Sequence, residues 1–373
     1  MTSRPATRRL VFIAAITLAL PLATAGIGPA QAAYPVAPGY HFTILADSAD
    51  GFEPSEFGCV ALNNLGQVSF RVADTSGVQA IYRADEGGLT TIATAEGGTY
   101  DFLGRNPSIN DAGQVSFAAE LSGPGEAIQR GDGTHLTTIA KTAGAPFRFF
   151  GFDTSINEAG RVAFKADLDS GDQGLFSAVS SRAATTYYLA SDSQFVGDQS
   201  GPSIRGHRVA FYDTLDGGLS AGIFLADGKE IDTAVGSGSE YGGFDIPSLG
   251  RHGLVAVHAF DHDAVNDFII TARKGVTHVI ADRSGQFGSF GFHTPSINAA
   301  GTVAYTASLG FSNFTGAYVG KQGRPVVEVG DALAGSTVVN VVGCTEMLND
   351  SGQVAVSVNL DDGRTVVVRA DPA

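Results

Sequence analysis

The chain has 373 residues, of which 43% are hydrophobic and 16% charged, and its 38 acidic side chains outnumber its 23 basic ones to give a net charge of −15. This acidity excludes nucleic acid and anionic lipid as partners, because a phosphate-rich partner needs a basic patch. The 49 glycines and the lack of tryptophan fit a chain of many tight turns and short strands.

The first 32 residues predict a secretory signal peptide that is cleaved near Ala32-Ala33. A basic start, an apolar run and a small-residue cleavage site are supplied by Arg4, Arg8 and Arg9, by residues 10–25 and by residues 30–32. The paired arginines fit either general or twin-arginine export. Removing these 32 residues takes 3 arginines from the 23 basic side chains and leaves 20 against 38 acids, a net charge of −18. No later apolar run is long enough to span a membrane. We therefore expect a secreted, monomeric protein that does not insert into membranes.

A ten-residue unit, SINDAGQVSF at residues 108–117, is present with changes in seven copies. The valine that follows its Asn-x-x-Gly corner returns at intervals of 46 to 51 residues, at Val68, Val115, Val162, Val209, Val255, Val303 and Val354. In such a corner the Asn side chain bonds its own backbone and the glycine takes a positive φ, which makes a tight hairpin. The period of two that follows, in Val115, Phe117 and Ala119, indicates a half-buried strand.

Each repeat contains three further strand-like runs, so that four strands, here named A to D, make one unit. Four strands in a repeat of about 40 to 50 residues are typical of a β-propeller blade. The last repeat stops after strand C at residues 366–369, whereas residues 40–47 match strand D and precede the first repeat. The sequence therefore predicts an all-β, seven-bladed β-propeller with four-stranded blades over residues 33–373. The N-terminal strand would join the last blade and close the ring.

The two cysteines, Cys59 and Cys344, stand just before the corner in the first and last repeats. A closed ring makes those repeats neighbours, and an exported protein favours a disulfide between them. The alternative is a pair of free buried thiols.

The Ile-Asn-x-x-Gly-x-Val units, spread over residues 41–373, resemble the tandem extracellular repeats of bacterial secreted proteins, including those called HAF repeats. The resemblance implies a secreted propeller of mostly unassigned function, and it carries over no catalytic residue. This chain departs from the pattern because it has no tryptophan after strand C and continues with Val-(Ser/Ala)-Phe after the glycine.

Candidate site residues lie in the B–C and D–A connections, which vary in length and charge as binding loops do. We expect these connections to surround one mouth of the channel. In blade five, His258, Asp261, His262 and Asp263 combine histidine with carboxylates, which can act as a general base or bind a metal. The alternative is a solvated loop.

A second set of candidates precedes strand A in four repeats. These ligand-face candidates are Asn106, Asp153, Asp245 and His293. They could ring the same mouth, or they could cap the incoming turn as Asx residues do.

Three aspartates of blade three are spaced as in a calcium loop. They are Asp167, Asp169 and Asp172. The glycine and terminal acid of an EF-hand are not in register, so calcium is left open and no other cofactor is expected.

Two functions from different classes fit these features. The first, which we favour in the absence of an assignable catalytic motif, is an extracellular binding or interaction module for an unknown glycan or protein ligand. The alternative is a polysaccharide-active hydrolase or lyase that uses acids and histidines at the channel mouth, a hypothesis that rests on fold analogy alone. A third possibility is a structural protein stabilised by calcium.

Overall fold

The computed structural model describes residues 39–197, 200–215, 220–228, 230–238, 240–291, 295–310, 315–321 and 323–373. Within these ranges the chain forms seven antiparallel sheets of four or five strands in a ring, which confirms the seven-bladed β-propeller. The predicted signal peptide and its cleavage site at Ala32-Ala33 lie outside the described residues, as does His293.

The first part of the ring contains the closing strand and blades one to three. Its strands are β1 (Tyr40–Asp47), β2 (Val60–Leu62), β3 (Val68–Ala73), β4 (Gln79–Asp85), β5 (Gly88–Thr94), β6 (Tyr100–Leu103), β7 (Ser108–Ile109), β8 (Val115–Leu121), β9 (Glu126–Gly131), β10 (Leu136–Lys141), β11 (Phe147–Phe150), β12 (Ser155–Ile156), β13 (Val162–Leu168), β14 (Gln173–Ala178) and β15 (Ala184–Leu189). Blade one is β2–β5, blade two β6–β10 and blade three β11–β15.

The second part contains blades four to seven. Its strands are β16 (Ser203–Arg205), β17 (Arg208–Leu215), β18 (Ser220–Asp227), β19 (Glu230–Gly236), β20 (Gly243–Phe244), β21 (Ser248–Leu249), β22 (Val255–Phe260), β23 (Asp267–Arg273), β24 (Val276–Asp282), β25 (Phe287–Phe290), β26 (Ser296–Ile297), β27 (Val303–Leu309), β28 (Thr315–Val319), β29 (Arg324–Val327), β30 (Ala332–Leu333), β31 (Ser336–Val342), β32 (Val354–Leu360) and β33 (Thr365–Pro372). Blade four is β16–β19, blade five β20–β24, blade six β25–β29, and β30–β33 with β1 form blade seven. Short 3-10 helices occupy Ser48–Asp50, Pro54–Glu56, Ala190–Asp192 and Arg251–Gly253.

The ring closes as the ends of the sequence predict. Strand β1 pairs antiparallel with β33, with Phe42 opposite Ala370 and Asp47 opposite Val366. The Asp47 carboxylate also accepts a hydrogen bond of 2.6 Å from Arg364 Nη1. The first strand of the described chain is therefore the outermost strand of the last blade, which joins the two ends.

The predicted strand A is split in blades two, three, five and six. In blade two, β6 and β7 both pair with β8, and a short loop separates them. Gly104 N–H donates to the Ala118 carbonyl at the break, and Pro107 follows without a backbone donor. Because proline cannot continue a ladder, the chain leaves the sheet and rejoins it two residues before the Asn corner.

The blades pack through apolar clusters that include the valine after each corner. Val68, Val115 and Val162 have no exposed surface, in agreement with the predicted buried face. Among the aromatic residues at the break in strand A of blade three, Phe150 is buried, whereas Phe149 and Phe152 are 39% and 48% exposed.

In several blades, an arginine near the end of strand C donates a hydrogen bond to the corner glycine of the next blade. Arg83 Nη1 donates to the Gly113 carbonyl of blade two at 2.7 Å. Gly113 has φ +72°, and a Cβ there would lie only 2.7 Å from Arg83 Nη1. The glycine is thus required both by the turn and by the close approach of the neighbouring blade. Arg130 with Gly160 and Arg369 with Gly66 repeat the contact.

Candidate functional site

The corner asparagines form a belt of hydrogen bonds around one face of the ring. Asn110 Oδ1 accepts from Gln114 N–H within its own turn, and Asn110 Nδ2 donates to the Asn157 carbonyl of the next blade at 3.0 Å. The same bond to the next corner is made by Asn63, Asn157, Asn298 and Asn349. The turn role was predicted from the sequence, whereas the bond between blades was not. This belt fixes the rim of the channel on the corner face.

The residue after the corner asparagine adds acidic groups to that rim. Asn64 N–H donates to Asp111 Oδ1 at 2.7 Å, and Asp111 N–H donates to Glu158 Oε2 at 2.9 Å. On the other side of blade one, Asp350 N–H donates to Asn64 Oδ1 at 2.9 Å. These three corners are therefore capped by a side chain of the next blade, which holds the carboxylates of Asp111 and Glu158 at the channel mouth.

A segment of blade seven crosses the channel. Leu62 N–H donates to the Glu346 carbonyl at 2.8 Å, and the Ser248 hydroxyl donates to the Thr345 carbonyl at 2.9 Å. The Ser108 and Ser155 hydroxyls both donate to Glu346 Oε1 at 2.9 Å. Thr345 and Glu346 thus contact blades one, two, three and five and divide the channel in two.

The larger compartment opens on the corner face and has a volume of about 310 Å³. We call it the corner cup; its floor includes Thr345 and Glu346, and the charged residues at its rim are Asp111, Glu158, Arg205, Arg251 and Asp350. The compartment on the D–A side is only about 40 Å³. The cup falls in the size range of small-molecule sites, whereas the other compartment has room for a few water molecules.

Two carboxyls of the cup are held in a more neutral form than is usual. Burial raises the pKa of Glu346 to about 7, against hydrogen bonds from Ser108, Ser155 and the Ile109 amide that lower it. Burial also raises the pKa of Glu158, and the charge of Asp111 adds to that effect. Among the described residues, Glu346 forms no ion pair with a lysine, arginine or histidine.

We expect Glu346→Gln to stabilise the protein at high pH. An ordinary glutamate titrates near 4.5 and Glu346 in the fold near 7, so the folded chain binds more protons between these values. This contribution to stability is complete below pH 4.5 and is lost as the pH rises through 7. Since glutamine stays neutral, the variant should exceed the wild type by about 1 to 3 kcal/mol at pH 8 and match it near pH 4.5. Denaturant unfolding at both pH values measures the difference, and a constant difference would contradict the expectation.

The structure separates the candidates of blade five. His258 is 1% exposed, its Nε2 lies 3.1 Å from Asp267 Oδ2, and the Phe290 ring of blade six packs on it. Asp261 instead accepts hydrogen bonds from the backbone N–H groups of its own loop, and His262 and Asp263 are exposed. His258 therefore lies in the interface between blades five and six, away from the loop tip.

Two D–A candidates come together on the side away from the cup. Asn106 Nδ2 donates to Asp153 Oδ1 of the next blade, and both line the small compartment. Asp245 Oδ1 accepts from Ile246 N–H at 2.8 Å, as an Asx cap does.

The three aspartates of blade three have different surroundings. Asp172 accepts from Ser191 N–H at 3.0 Å, Asp167 accepts from Gln173 Nε2 at 2.7 Å, and Asp169 is exposed. Among the described residues, no group of three or more His, Cys, Asp or Glu side chains could hold a metal ion.

Sequence reasoning missed Glu346, although the repeats contain a signal for it. In four repeats the residue before the strand-A serine is proline, at Pro107, Pro202, Pro247 and Pro295. The last repeat has Glu346-Met347 in place of this Pro-Ser pair. An acid at a position that faces the ring axis in the other repeats marks the floor of the cup.

Comparisons with known proteins support the fold and leave the activity open. Residues 44–215 match the model of a family of unknown function (DUF7453). With the seven-bladed ring, this match fits a repeat propeller family of unknown function. No curated protein matches the chain. None of the helices in the described ranges is long and apolar enough to cross a membrane.

Several solved structures match this chain at low sequence identity. Prolyl oligopeptidase B from Galerina marginata is 11% identical with a TM-score of 0.52, over 87% of this chain and 48% of the peptidase, so this chain spans about half of that protein. The SapL1 lectin in complex with alpha methyl fucoside is 11% identical with a TM-score of 0.39, over 83% of this chain and 95% of the lectin. The Aleuria aurantia lectin in complex with Fucalpha1-6GlcNAc is 9% identical with a TM-score of 0.41, over 75% of this chain and 98% of the lectin. At these identities the likeness to the peptidase concerns the fold alone.

Proposed function

We propose that this protein is an exported ligand-binding module that takes a small polar solute in the corner cup. The observation that carries the proposal is the blind, polar cavity of about 310 Å³ at the centre of the ring. Because Thr345 and Glu346 cross the channel, the cup is closed at one end and is a pocket rather than a pore. Small ligands bind in concave pockets that have a few convergent polar groups. The Cys59–Cys344 disulfide supports an exported location.

The groups around the cup favour binding over catalysis. Ser108 Oγ donates to Glu346 and also accepts from Ile156 N–H at 3.0 Å. Ser155 Oγ likewise donates to Glu346 and accepts from Ile204 N–H at 3.2 Å. Each of these hydroxyls thus uses its proton and one lone pair to bridge neighbouring blades, which is a structural role. Carboxylate, amide and guanidinium groups at the rim suit a ligand rich in hydroxyl or amino groups.

Direct binding measurements test this function. We expect calorimetry with the secreted chain and a panel of small sugars, amino acids and amines to find a ligand whose affinity falls at least tenfold in Arg251→Ala and Glu158→Gln. Both side chains are exposed at the cup rim. Glu96→Gln is the matched control, because Glu96 is an exposed carboxylate outside the cup.

Three outcomes would overturn the proposal. They are a wild-type chain that binds nothing in the panel, cup variants that bind as tightly as the control, and release of a product from the bound solute.

A further inference from the structure

Glu346 is an enclosed acid whose hydrogen-bond partners are neutral. Two serine hydroxyls reach its Oε1 at 2.9 Å, and the Ile109 amide also interacts with the carboxyl. A carboxylate offers about four lone-pair sites, so these three donors leave it capacity for another. The charge of Arg205 lowers the pKa of this carboxyl without forming an ion pair with it, so the ionised form still gains from a partner that brings positive charge.

The charges that face Glu346 from the surrounding blades are mostly negative. They are Asp111 of blade two, Asp153 and Glu158 of blade three, Arg205 of blade four, Arg251 of blade five, and Asp350 of blade seven.

The cup retains a negative charge after its internal pairing. Arg205 is engaged, since its Nε donates to the Leu249 carbonyl at 3.2 Å and its Nη2 lies 4.0 Å from Asp350 Oδ1. Arg251 then brings one positive charge to a cup that also holds the carboxyl groups of Asp111, Glu158 and Glu346. A concave site with a net negative charge concentrates cations.

We propose that the corner cup binds a small solute that carries an ammonium group, with Glu346 as its counter-ion at the floor. This inference rests on the proposed function and specifies its ligand class. The cup volume of about 310 Å³ admits a body of a few to about a dozen heavy atoms and excludes a folded partner. The ammonium would donate to Glu346 and to the rim carboxylates, and Arg251 would contact a hydroxyl or other acceptor on the rest of the solute.

The charge of Glu346 makes the binding depend on pH. The pKa of this carboxyl, raised to about 7 by burial, leaves most of it protonated at pH 6 and ionised at pH 8. If the ionised form binds the ammonium, the apparent affinity should rise about tenfold between these values, in proportion to the ionised fraction. Alkyl amines stay charged over this range, so the change reports the protein.

Three matched solutes test the inference by calorimetry at constant ionic strength: 1,4-diaminobutane, 4-amino-1-butanol and 1,4-butanediol. We expect both amines to bind at least tenfold more tightly than the diol, with the stated increase from pH 6 to pH 8. Glu346→Gln should remove both the preference for amines and the pH dependence, while Glu96→Gln should keep both. A circular dichroism spectrum like that of the wild type, with a cooperative thermal transition at or above the wild-type melting temperature, would show that the Glu346→Gln variant is folded.

The outcomes separate this inference from the proposed function. Equal binding of the diol and the amines, binding without pH dependence, or an unaffected Glu346→Gln variant would overturn the ammonium site. If a neutral sugar binds in a manner that depends on Arg251 and Glu158 while the amines do not bind, the ligand-binding function stands and the ammonium site fails. If no solute binds the wild type, both fail.

Discussion

Lys165→Met is expected to destabilise the propeller by about 3 to 5 kcal/mol, because it leaves a buried carboxylate without its cation. Lys165 of β13 is 1% exposed, and Asp213 of β17 in the next blade is fully buried. Lys165 Nζ lies 3.3 Å from Asp213 Oδ2 and donates to the Tyr212 carbonyl at 2.7 Å. The Tyr188 hydroxyl also donates to this carboxylate. Methionine fills much of the same volume, so the loss reports charge rather than a cavity.

Guanidinium unfolding of the wild type, the two single variants, the double variant and a control variant measures this effect. The double variant Lys165→Met/Asp213→Asn should lose less stability than the sum of its two single variants, because the neutral amide no longer needs the cation. Lys141→Met is the matched control, since Lys141 is an exposed lysine on β10. A Lys165→Met variant within 1 kcal/mol of the control would contradict the expectation.

The ring was predictable because two independent signals in the sequence agree. The corner unit fixes the inner edge of each blade, and its valine falls at the buried step of strand B every time. The N-terminal run fills the position that the last repeat lacks, and β1 does pair with β33. Turn chemistry and strand alternation depend on a few consecutive residues, so both can be recognised in a single sequence before the contacts between blades are known.

The split of strand A and the asparagine belt depend on neighbours in space. Asn110 Oδ1 accepts from Gln114 N–H within its own turn whatever surrounds it, but its Nδ2 donates to a carbonyl 47 residues away. Glu346 meets hydroxyls 238 and 191 residues earlier in the chain. These groups come together only in the closed ring, so no local sequence motif predicts the cup.

The placement of His258 could have been inferred from the repeat itself. His258 follows Val255 by three residues, as Arg71 follows Val68 and Lys165 follows Val162. All three side chains are 1% exposed. This step of strand B faces the next blade, and a polar side chain there bonds within the interface.

Replacing both cysteines with serine is expected to cost about 2 to 4 kcal/mol, the second large effect in this molecule. The Cys59–Cys344 disulfide joins blades one and seven across a separation of 285 residues. The chain-entropy model gives an upper bound of roughly 5 to 6 kcal/mol for a loop of this length. The observed loss should be smaller, because β1 and β33 hold the same two ends together in the folded state.

The same bond supports the floor of the cup. Cys344 lies two residues before Glu346, and Met347 N–H donates to the Cys344 carbonyl at 3.2 Å. Thermal unfolding of the oxidised wild type, the reduced wild type and the double serine variant compares the three states. We expect the reduced wild type and the double serine variant to share one melting temperature, below that of the oxidised wild type. We also expect the pKa of Glu346 to move towards its ordinary value of 4.5 once its segment is less constrained. Coincident melting of all three proteins would mean that strand pairing alone closes the ring, and that the disulfide adds nothing to the position of Glu346.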